Sequence, residues 1–487
     1  MTANETKREA ALALHRFGFG PTPGSIAAIA GDPRGAVLAD LERPGAGLVA
    51  AANLPNSAAA SRAFFEFRAK RAAEQKLAQR AKQQAAQNGS GASTPDDGSV
   101  KAVSAMTGAA PTPSADQATE KLPANVAVQL VENEAQVRIA AAVGADIGFV
   151  ERLVWFWSNH FCVSTDRIPS MAGAYEREAI RPHVLGRFVD MLTAVESHPA
   201  MLFYLDNAES MGPDSVAGIN RGRGLDENLA REALELHTVG VRSGYTQTDV
   251  INFAKLLTGW TFVGPGVVGH GGEFVFAERM HEPGEQVLLG KHYPDTGMQQ
   301  GLAALADLAR NPATARHIAQ KLAVHFVADQ PPPTLVDKLA KAFTDSDGDL
   351  KQVSKTLITV EESWTPKRSK LKRPSEWHIG ALRLTGSRGN AGRFMRSQLL
   401  LGEPLWRPPA PSGYSDNQSA WIDGLGERAD VASNFAGRVA DRLEPVGLID
   451  QGLGPLASTE TRDTVARAGS RAQALALLLM SPEFLRR

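Results

Sequence analysis

Cysteine is nearly absent from this sequence of 487 residues, in which Cys162 is the single example. One thiol excludes an internal disulfide and a cysteine-based metal cage, and nothing indicates a disulfide-stabilised secreted domain. Long apolar runs are missing as well, because no stretch approaches the roughly 18 apolar residues of a membrane span. The amino terminus lacks the apolar core and cleavage site of a signal peptide. We therefore expect no membrane span and a cytoplasmic location.

Neither sign of charge dominates the sequence. Lysine and arginine number 52 against 53 aspartates and glutamates, which gives a formal net charge of -1. The global field that would attract nucleic acid or an anionic membrane is therefore missing, and we expect no nucleic-acid partner. The signature motifs of serine hydrolases, zincins, P-loop enzymes and dinucleotide enzymes are also absent from the sequence.

Helix-forming patterns fill most of the chain. Thr246 followed by Asp249 is a variant of the capping box, and Asn311 before Pro312 is a strong helix start. Between such helix starts, apolar residues recur at the 3.6-residue period of an α-helix. The glycine-rich run between Thr261 and Tyr293 instead alternates, which favours strands. The pattern predicts three helices ahead of residue 210, at Val126–Val143, Ile147–Val163 and Ile180–Leu205.

These patterns predict a mainly α, multi-helical globular protein with a small glycine-rich β-hairpin lobe. An insertion separates the N-terminal helical segment from the helical core. It begins with a basic helix and continues as a low-complexity segment, which we expect to be disordered from Asn88 to Ala115. We divide the chain into an N-terminal helical segment (1–61), the basic helix and low-complexity insertion (62–121), a helical core (122–260), the β lobe (261–300) and a C-terminal helical region packed on the core (301–487).

The stretch from Leu225 to Trp260 has the clearest helix pattern with the most polar side chains. At about 100° per residue, Asn228, Glu232 and Glu235 fall in one row, with Arg231 beside them. Leucines and alanines form the adjoining apolar stripe, so the carboxylates border a core-facing surface. Gly240 ends this helix, which we call the hallmark helix.

The same stretch, ENLARE-x-LELHT-x-G followed by GYTQ-x-DV and LTGW, resembles the hallmark block of a bacterial family known as domain of unknown function 1800. The resemblance covers essentially the whole chain and implies no established reaction. Many members of that family look exported, which leaves open a periplasmic location reached with a signal-bearing partner. Further segments match in order: RFGFGPTPG (16–24), WFWSNHF (155–161), LDNAES (205–210), PATARHIAQKLAVHFV (312–327) and LGEPLWRPPAPSGY (401–414).

The polar row has two interpretations. Asn228, Glu232 and Glu235 present oxygen ligands at i, i+4 and i+7, which is a pattern that can hold a divalent metal ion. Alternatively the carboxylates pair with Arg231 and other basic groups across a helix interface, and this structural interpretation is favoured. Arg231 is then expected to be a buried clamp that bridges carboxylates along the helix and reaches a partner helix such as the one ending at Asp206. His237 lies about 160° away on an ideal helix, so we expect it to make a hydrogen bond on the opposite side.

Other polar residues are candidate ligands. His160 shares a helix face with Leu153 and Trp157, so a satisfied buried histidine is favoured over a catalytic one. His281 and Lys291 fit a pattern that resembles one of the family. In one interpretation their side chains contact an anionic ligand, and in the default interpretation they are residues of a surface turn. The predicted catalytic groups are Glu232, Glu235 and His160, and the predicted ligand-binding residues are Asn159, Asp206, Asn207, Asn228, Arg231, His281 and Lys291.

Two classes of function follow from these candidates. In the first, the polar row and His160 line a pocket for metal-assisted or acid–base hydrolysis of an anionic or sugar-like substrate. In the second, the row is an internal brace, and the protein is a non-catalytic binding or maturation partner of another protein. The tryptophan- and proline-rich segment from Leu405 to Trp421 would then form the docking surface.

Overall fold

Helices account for most of the chain in the computed structural model, which describes residues 2–51, 53–89, 126–221, 224–264, 267 and 270–487. The mainly α prediction is confirmed. Within these residues the α-helices are Ala3–Arg16 (α1), Ser25–Ile29 (α2), Pro33–Leu41 (α3), Ser57–Gly89 (α4), Val126–Gly144 (α5), Phe149–His160 (α6), Ala172–Tyr175 (α7), Phe188–Glu196 (α8), Pro199–Tyr204 (α9), Val216–Arg221 (α10), Asn228–Glu232 (α11), Gln247–Leu257 (α12), Met298–Arg310 (α13), Pro312–Phe326 (α14), Pro333–Asp345 (α15), Leu350–Thr359 (α16), Pro374–Leu384 (α17), Ala391–Leu400 (α18), Leu425–Val439 (α19), Pro445–Gly452 (α20), Thr459–Ala466 (α21), Arg471–Leu479 (α22) and Pro482–Leu485 (α23).

Capping residues set several of these boundaries. Thr246 and Asp249 form a reciprocal capping box at the start of α12. The Asn311 side chain accepts from the N–H of Ala313 ahead of α14, and Asp349 does the same for Gln352 ahead of α16. The helix starts predicted at Thr246 and Asn311 are therefore confirmed.

The glycine-rich lobe contains two separate antiparallel pairs of short strands. Trp260–Phe262 (β1) pairs with Phe274–Phe276 (β2), and Gln286–Leu288 (β3) pairs with Lys291–Tyr293 (β4). Leu289 and Gly290, which join β3 to β4, both have positive φ, at 49° and 77°. That conformation matches a two-residue hairpin turn. Asp249 holds the turn by accepting from the N–H of Leu289 at 2.7 Å.

The prediction of one helix from Ile180 to Leu205 is wrong. The chain instead forms a short 3-10 turn at 181–183 and then α8 and α9. Pro182 and Pro199 each sit near the start of a helical segment, where a missing N–H costs nothing. Inside one long helix the same prolines would remove backbone hydrogen bonds. The predicted disordered loop begins inside α4, and from residue 90 on it lies outside the described residues.

Helix α6 lies at the centre of the core. All of its residues except Asn159 are buried, and its rings pack in edge-on and tilted contacts with rings from distant segments. Each fully buried large side chain contributes roughly 1.5–3 kcal/mol through its area. The N-terminal RFGFG segment packs against the start of α6 so closely that a Cβ on Gly18 would lie 2.1 Å from the Ile147 carbonyl oxygen. Only glycine allows that contact.

None of the helices in the described ranges combines the length and the apolar character that crossing a lipid bilayer requires.

Candidate functional site

The hallmark helix changes its winding in the middle. It runs as α11 from Asn228 to Glu232 and continues as a π-turn from Ala233 to His237. The Thr238 hydroxyl donates to the Ala233 carbonyl at 2.6 Å, and the Gly240 N–H donates to Leu234 at 3.0 Å. Single π-turns often occur at functional sites, because they change the direction of the side chains that follow.

Two histidines cap the carbonyl groups that this turn leaves open. His160 Nε2 lies 3.2 Å from the His237 carbonyl oxygen, and His317 Nε2 lies 3.1 Å from that of Leu236. A carbonyl only accepts, so both Nε2 atoms carry a proton. Burial, with the nearby charge of Lys321, lowers the pKa of His160 well below its ordinary value. His160 is therefore a neutral, buried histidine, as favoured from its helix face.

His237 itself points to a buried carboxylate. Its Nδ1 lies 2.7 Å from Glu196 Oε1, and both side chains are almost completely buried. The hydrogen bond predicted for His237 away from the polar row is confirmed. This contact holds α8 against the end of the hallmark helix.

Glu232 and Glu235 have different surroundings. Glu235 lies 3.7 Å from Arg231 and forms a hydrogen bond with Tyr245. The Glu232 carboxylate is half-buried and has no hydrogen bond or ion pair with any other described residue. Burial raises the pKa of Glu232, and the nearby His237 acts in the opposite direction. Glu232 is thus the member of the row that is available for proton transfer.

Arg231 bridges side chains along the surface of the hallmark helix. Its Nη2 lies 2.9 Å from Glu227 and 3.0 Å from Gln247 Oε1, and 37% of its side chain is exposed. The predicted bridge between carboxylates is therefore present. The expectation of a buried clamp that reaches Asp206 is wrong, because Asp206 pairs with Arg167 instead.

The row does not form a recognisable metal centre. Among the residues that the structure describes, no group of three or more histidine, cysteine, aspartate or glutamate side chains is arranged to hold a metal ion. The backbone N–H of Asn228 donates to Asp226 Oδ1 at 2.9 Å, which places Asn228 at the helix start. A metal site at Asn228, Glu232 and Glu235 therefore gains no support from the structure.

Two of the predicted ligand-binding amides are structural braces. The Asn159 side chain donates to the Tyr414 carbonyl at 2.9 Å and accepts from the Tyr414 N–H at 2.8 Å. Gly413 lies so close that an added Cβ would be 2.4 Å from the Asn159 carbonyl oxygen. Asn207 is buried and donates to the carbonyls of Leu257 and Trp260, both at 3.1 Å. Asn159 thus fixes the 403–414 loop, and Asn207 fixes the entry to β1.

His281 and Lys291 lie in different environments. His281 is buried, with Nδ1 2.9 Å from the Thr258 carbonyl and Nε2 3.2 Å from Gln300 Oε1, so the surface-turn assignment is wrong for it. Lys291 is 59% exposed and pairs with Asp307. No direct contact joins the two side chains, and each already has its own partner.

Two joined grooves lie near the predicted residues. The first, which we call the acidic groove, has a volume of about 770 Å³. The second, which we call the apolar groove, has a volume of about 290 Å³. Arg167, Phe203 and Phe262 line both, so one opens into the other. The acidic groove adds Asp206, Glu209, Leu225 and Asp226, and the apolar groove adds Phe64, Phe65, Arg68, Ile168, Pro169 and Met171.

Asp206 is the predicted ligand-binding residue that faces these grooves. It has φ at 62°, a left-handed conformation that is uncommon outside glycine and often found at functional sites. Its neighbour Asp226 caps α11 and also lines the acidic groove. Glu232, Glu235 and His160 line neither groove.

A smaller volume, which we call the inner cavity, lies beneath α6. It measures about 50 Å³ and is lined by residues from four of the family-like segments together with α17. Burial raises the pKa of the Cys162 thiol there to about 12, so that group is neutral. Sequence reasoning missed the charged lining, because its members are far apart in the chain. They are Arg138, Arg152, His325, Arg373, Glu376 and Glu403.

The large apolar residues of the segment from Leu405 to Trp421 are buried, so they are not exposed for the docking that was expected from its composition. Leu405, Trp406 and Trp421 are 9%, 7% and 8% exposed. Trp406 packs over the Arg138 guanidinium at 5.2 Å, and the Trp421 indole donates to the Ser415 carbonyl at 2.9 Å. The aromatic residues of this segment close the inner cavity and the core.

A comparison with known families matches residues 12–486 of the chain to one that is described as "Protein of unknown function (DUF1800)". No curated protein and no solved structure matches the chain.

Proposed function

This chain belongs to the DUF1800 family, and from that premise we propose that it is a binding protein whose joined grooves hold an extended segment of a partner protein. The observation that carries the proposal is the direct opening of an apolar groove of about 290 Å³ into an acidic groove of about 770 Å³. Ligand sites of this size usually combine apolar walls with a few polar groups.

The apolar groove is suited to an anchoring side chain. Phe64, Phe65, Phe203 and Phe262 are half-buried and present ring surface to it. Phe203 and Phe262 lie 6.0 Å apart between ring centroids, in a tilted arrangement that leaves their outer faces open. Burying one large apolar side chain here would contribute roughly 1.5–3 kcal/mol. We therefore infer an aromatic or large aliphatic residue in the bound segment.

The acidic groove favours a basic side chain next to that anchor. Asp206, Glu209 and Asp226 line it, and Arg167 is the cation among its described lining residues. Arg167 pairs with Asp206, so the charge of Asp226 biases the groove toward a positive ligand group. Exposed charge pairs contribute at most about 1 kcal/mol, and their main effects are specificity and association rate.

Selection of random peptides displayed on phage against the full chain tests this proposal. We expect enriched peptides to carry a large apolar residue close to lysine or arginine. In fluorescence polarisation with the best labelled peptide, Phe65→Ala should weaken binding about tenfold, which corresponds to about 1.4 kcal/mol. Asp226→Asn should weaken it about threefold to fivefold, since asparagine keeps the cap of α11 but loses the charge.

Glu427→Gln is the matched control, because Glu427 is an exposed carboxylate on α19 outside both grooves. It should leave the affinity unchanged. Failure to enrich any peptide, or equal affinity in the Asp226→Asn and wild-type proteins, would contradict the proposed partner chemistry.

A second candidate function is acid–base hydrolysis at the hallmark helix, favoured by the half-buried Glu232 with its raised pKa. A carboxyl group with a raised pKa stays protonated to higher pH and can donate a proton to a leaving group. Activity of this kind should fall as the pH rises through that pKa. Glu235, which is held by Arg231 and Tyr245, would position the hallmark helix and would not take part in proton transfer.

Hydrolysis of p-nitrophenyl phosphate and p-nitrophenyl glycosides by the purified chain tests this candidate. We expect Glu232→Gln to lower kcat by at least about a hundredfold, the usual contribution of a general acid. Glu235→Gln serves as the control and should retain most of the activity. Equal rates in wild type and Glu232→Gln, or no turnover of any of these probes, would exclude the hydrolytic function for them.

A further inference from the structure

We propose that the inner cavity binds a small oxyanion that carries a hydroxyl group, of the size of bicarbonate or dihydrogen phosphate. Nothing in the proposed binding function requires this cavity, which is separate from both grooves. Its walls come from α6, the start of α17 and the 403–414 loop.

The charged wall of the inner cavity is fixed before any ligand arrives. Arg373 Nε lies 2.8 Å from Glu403, and Arg152 Nη2 lies 3.0 Å from Glu376. Arg138 stacks 3.9 Å above the Trp155 ring. Burial lowers the pKa of His325 to about 4 despite the opposing charge of Asp416. Arg138 also pairs with Glu176 at 2.9 Å, so all three guanidinium groups are held in place by carboxylates. The three arginines of the lining outnumber its two glutamates, and the histidine is neutral.

Several polar atoms of this wall have no partner. The Trp155 indole N–H and the Arg152 Nε–H are buried donors that lack an acceptor among the described residues. Gln398 Oε1 is a buried acceptor that has no donor in the part of the chain that the structure describes, and Gln398 is 0% exposed. Each such group costs about 1–3 kcal/mol if it stays unsatisfied. Trp155, at 9% exposed, and Gln398 both line the cavity, so an occupant that satisfies them would stabilise the protein.

The size and donor count define the occupant. A volume of about 50 Å³ corresponds to about three to five water positions, since one water needs about 10–15 Å³ on the same measure. Two unpaired donors, with guanidinium groups around them, favour an anionic oxygen acceptor. The unpaired Gln398 oxygen favours a hydroxyl hydrogen on the same molecule. An oxyanion of about four or five non-hydrogen atoms that bears at least one hydroxyl group meets both requirements.

The inner cavity adjoins a groove on the surface. This groove has a volume of about 400 Å³, is lined by Val128, Met395 and Arg396, and shares Pro404 and Leu405 with the inner cavity. Arg396 and Arg407 line the groove, so a small anion meets positive charge on the side of the cavity that faces the surface.

Isothermal titration calorimetry of the full chain near neutral pH, with bicarbonate, phosphate and formate as separate probes, tests the inference. We expect saturable binding of bicarbonate or phosphate and weaker binding of formate, which has no hydroxyl group. Trp155→Phe keeps the ring and removes the indole N–H, so it should weaken binding about tenfold, as expected for a hydrogen bond to a charged group. Trp421→Phe is the matched control, because that indole donates to the Ser415 carbonyl instead.

Gln398→Met gives a second variant of similar volume, in case Trp155→Phe does not fold. It should remove the preference for the hydroxyl-bearing anions and leave formate binding unchanged. No saturable binding of any probe would show that water alone fills the cavity and would overturn the inference. Equal binding in wild type and both variants would place the anion elsewhere on the protein and would overturn it as well.

Discussion

Glu376→Gln should lower the free energy of unfolding by about 3–5 kcal/mol, the usual cost of breaking a buried ion pair by removing one charge. Glu376 is 4% exposed and lies among three arginines. Its Oε1 is 3.0 Å from Arg152, and its Oε2 is 2.9 Å from Arg487 Nε and accepts from the Arg373 backbone N–H at 3.1 Å. Glutamine keeps the shape but leaves these cations without their carboxylate.

The pH dependence of stability separates this charge effect from a packing effect. Burial alone would raise the pKa of Glu376, but Arg152 and Arg487 outweigh it and hold the pKa at about 2, below the ordinary value of 4.5. The stability from this group is therefore fully present above about pH 4.5 and is lost as the pH falls toward 2. Urea denaturation at several pH values should show the wild-type advantage narrowing below pH 4.5. An advantage that stays constant down to pH 3 would contradict the assignment.

Arg181→Ala should have a comparable effect, again about 3–5 kcal/mol. Arg181 is 2% exposed, and its guanidinium lies 2.8 Å from Glu151 and 3.1 Å from Glu176. It also donates to the Gly47 carbonyl at 2.8 Å. Its removal leaves the buried Glu151 without a counter-charge and leaves Glu176 with Arg138 as its remaining partner. Arg181→Lys should recover only part of the loss, because lysine lacks the planar fork that reaches both carboxylates.

Arg231→Ala is the control for Arg181→Ala, since Arg231 also bridges two glutamates but is 37% exposed. Exposed pairs contribute no more than about 1 kcal/mol, so denaturation should show only a small loss for this variant. Equal losses for Arg181→Ala and Arg231→Ala would mean that burial does not determine what these ion pairs contribute.

The sequence is most informative where structure depends on neighbouring residues. The capping box at Thr246 and Asp249 and the helix start at Asn311 were predictable, because a cap and its partner lie within a few positions. The break at Pro199 was missed, because the apolar period continues through it. The π-turn was missed as well, since periodicity assumes a uniform helix.

The candidate sites are formed by residues that are far apart in the sequence, and only part of each site was predicted. Asp206 was a candidate from the sequence and lines the acidic groove, but Phe64 and Phe262, which complete the grooves, gave no local indication that they meet. Arg231 was predicted to be the buried clamp, whereas Arg152 and Arg181 have that role. Whether an arginine is buried depends on which helices cover it, and a helix pattern does not contain that information.

The π-turn at 233–237 makes the hallmark helix sensitive to its length. Removing one residue from an α-helix rotates everything beyond that point by about 100° and shortens it by about 1.5 Å. The carbonyls of Leu236 and His237 would then turn away from His317 and His160. Glu232 and His237 would also lose their present relative orientation. In evolutionary terms, insertions and deletions in this turn are far more disruptive than most substitutions, so we expect the number of residues between Glu232 and Gly240 to be fixed.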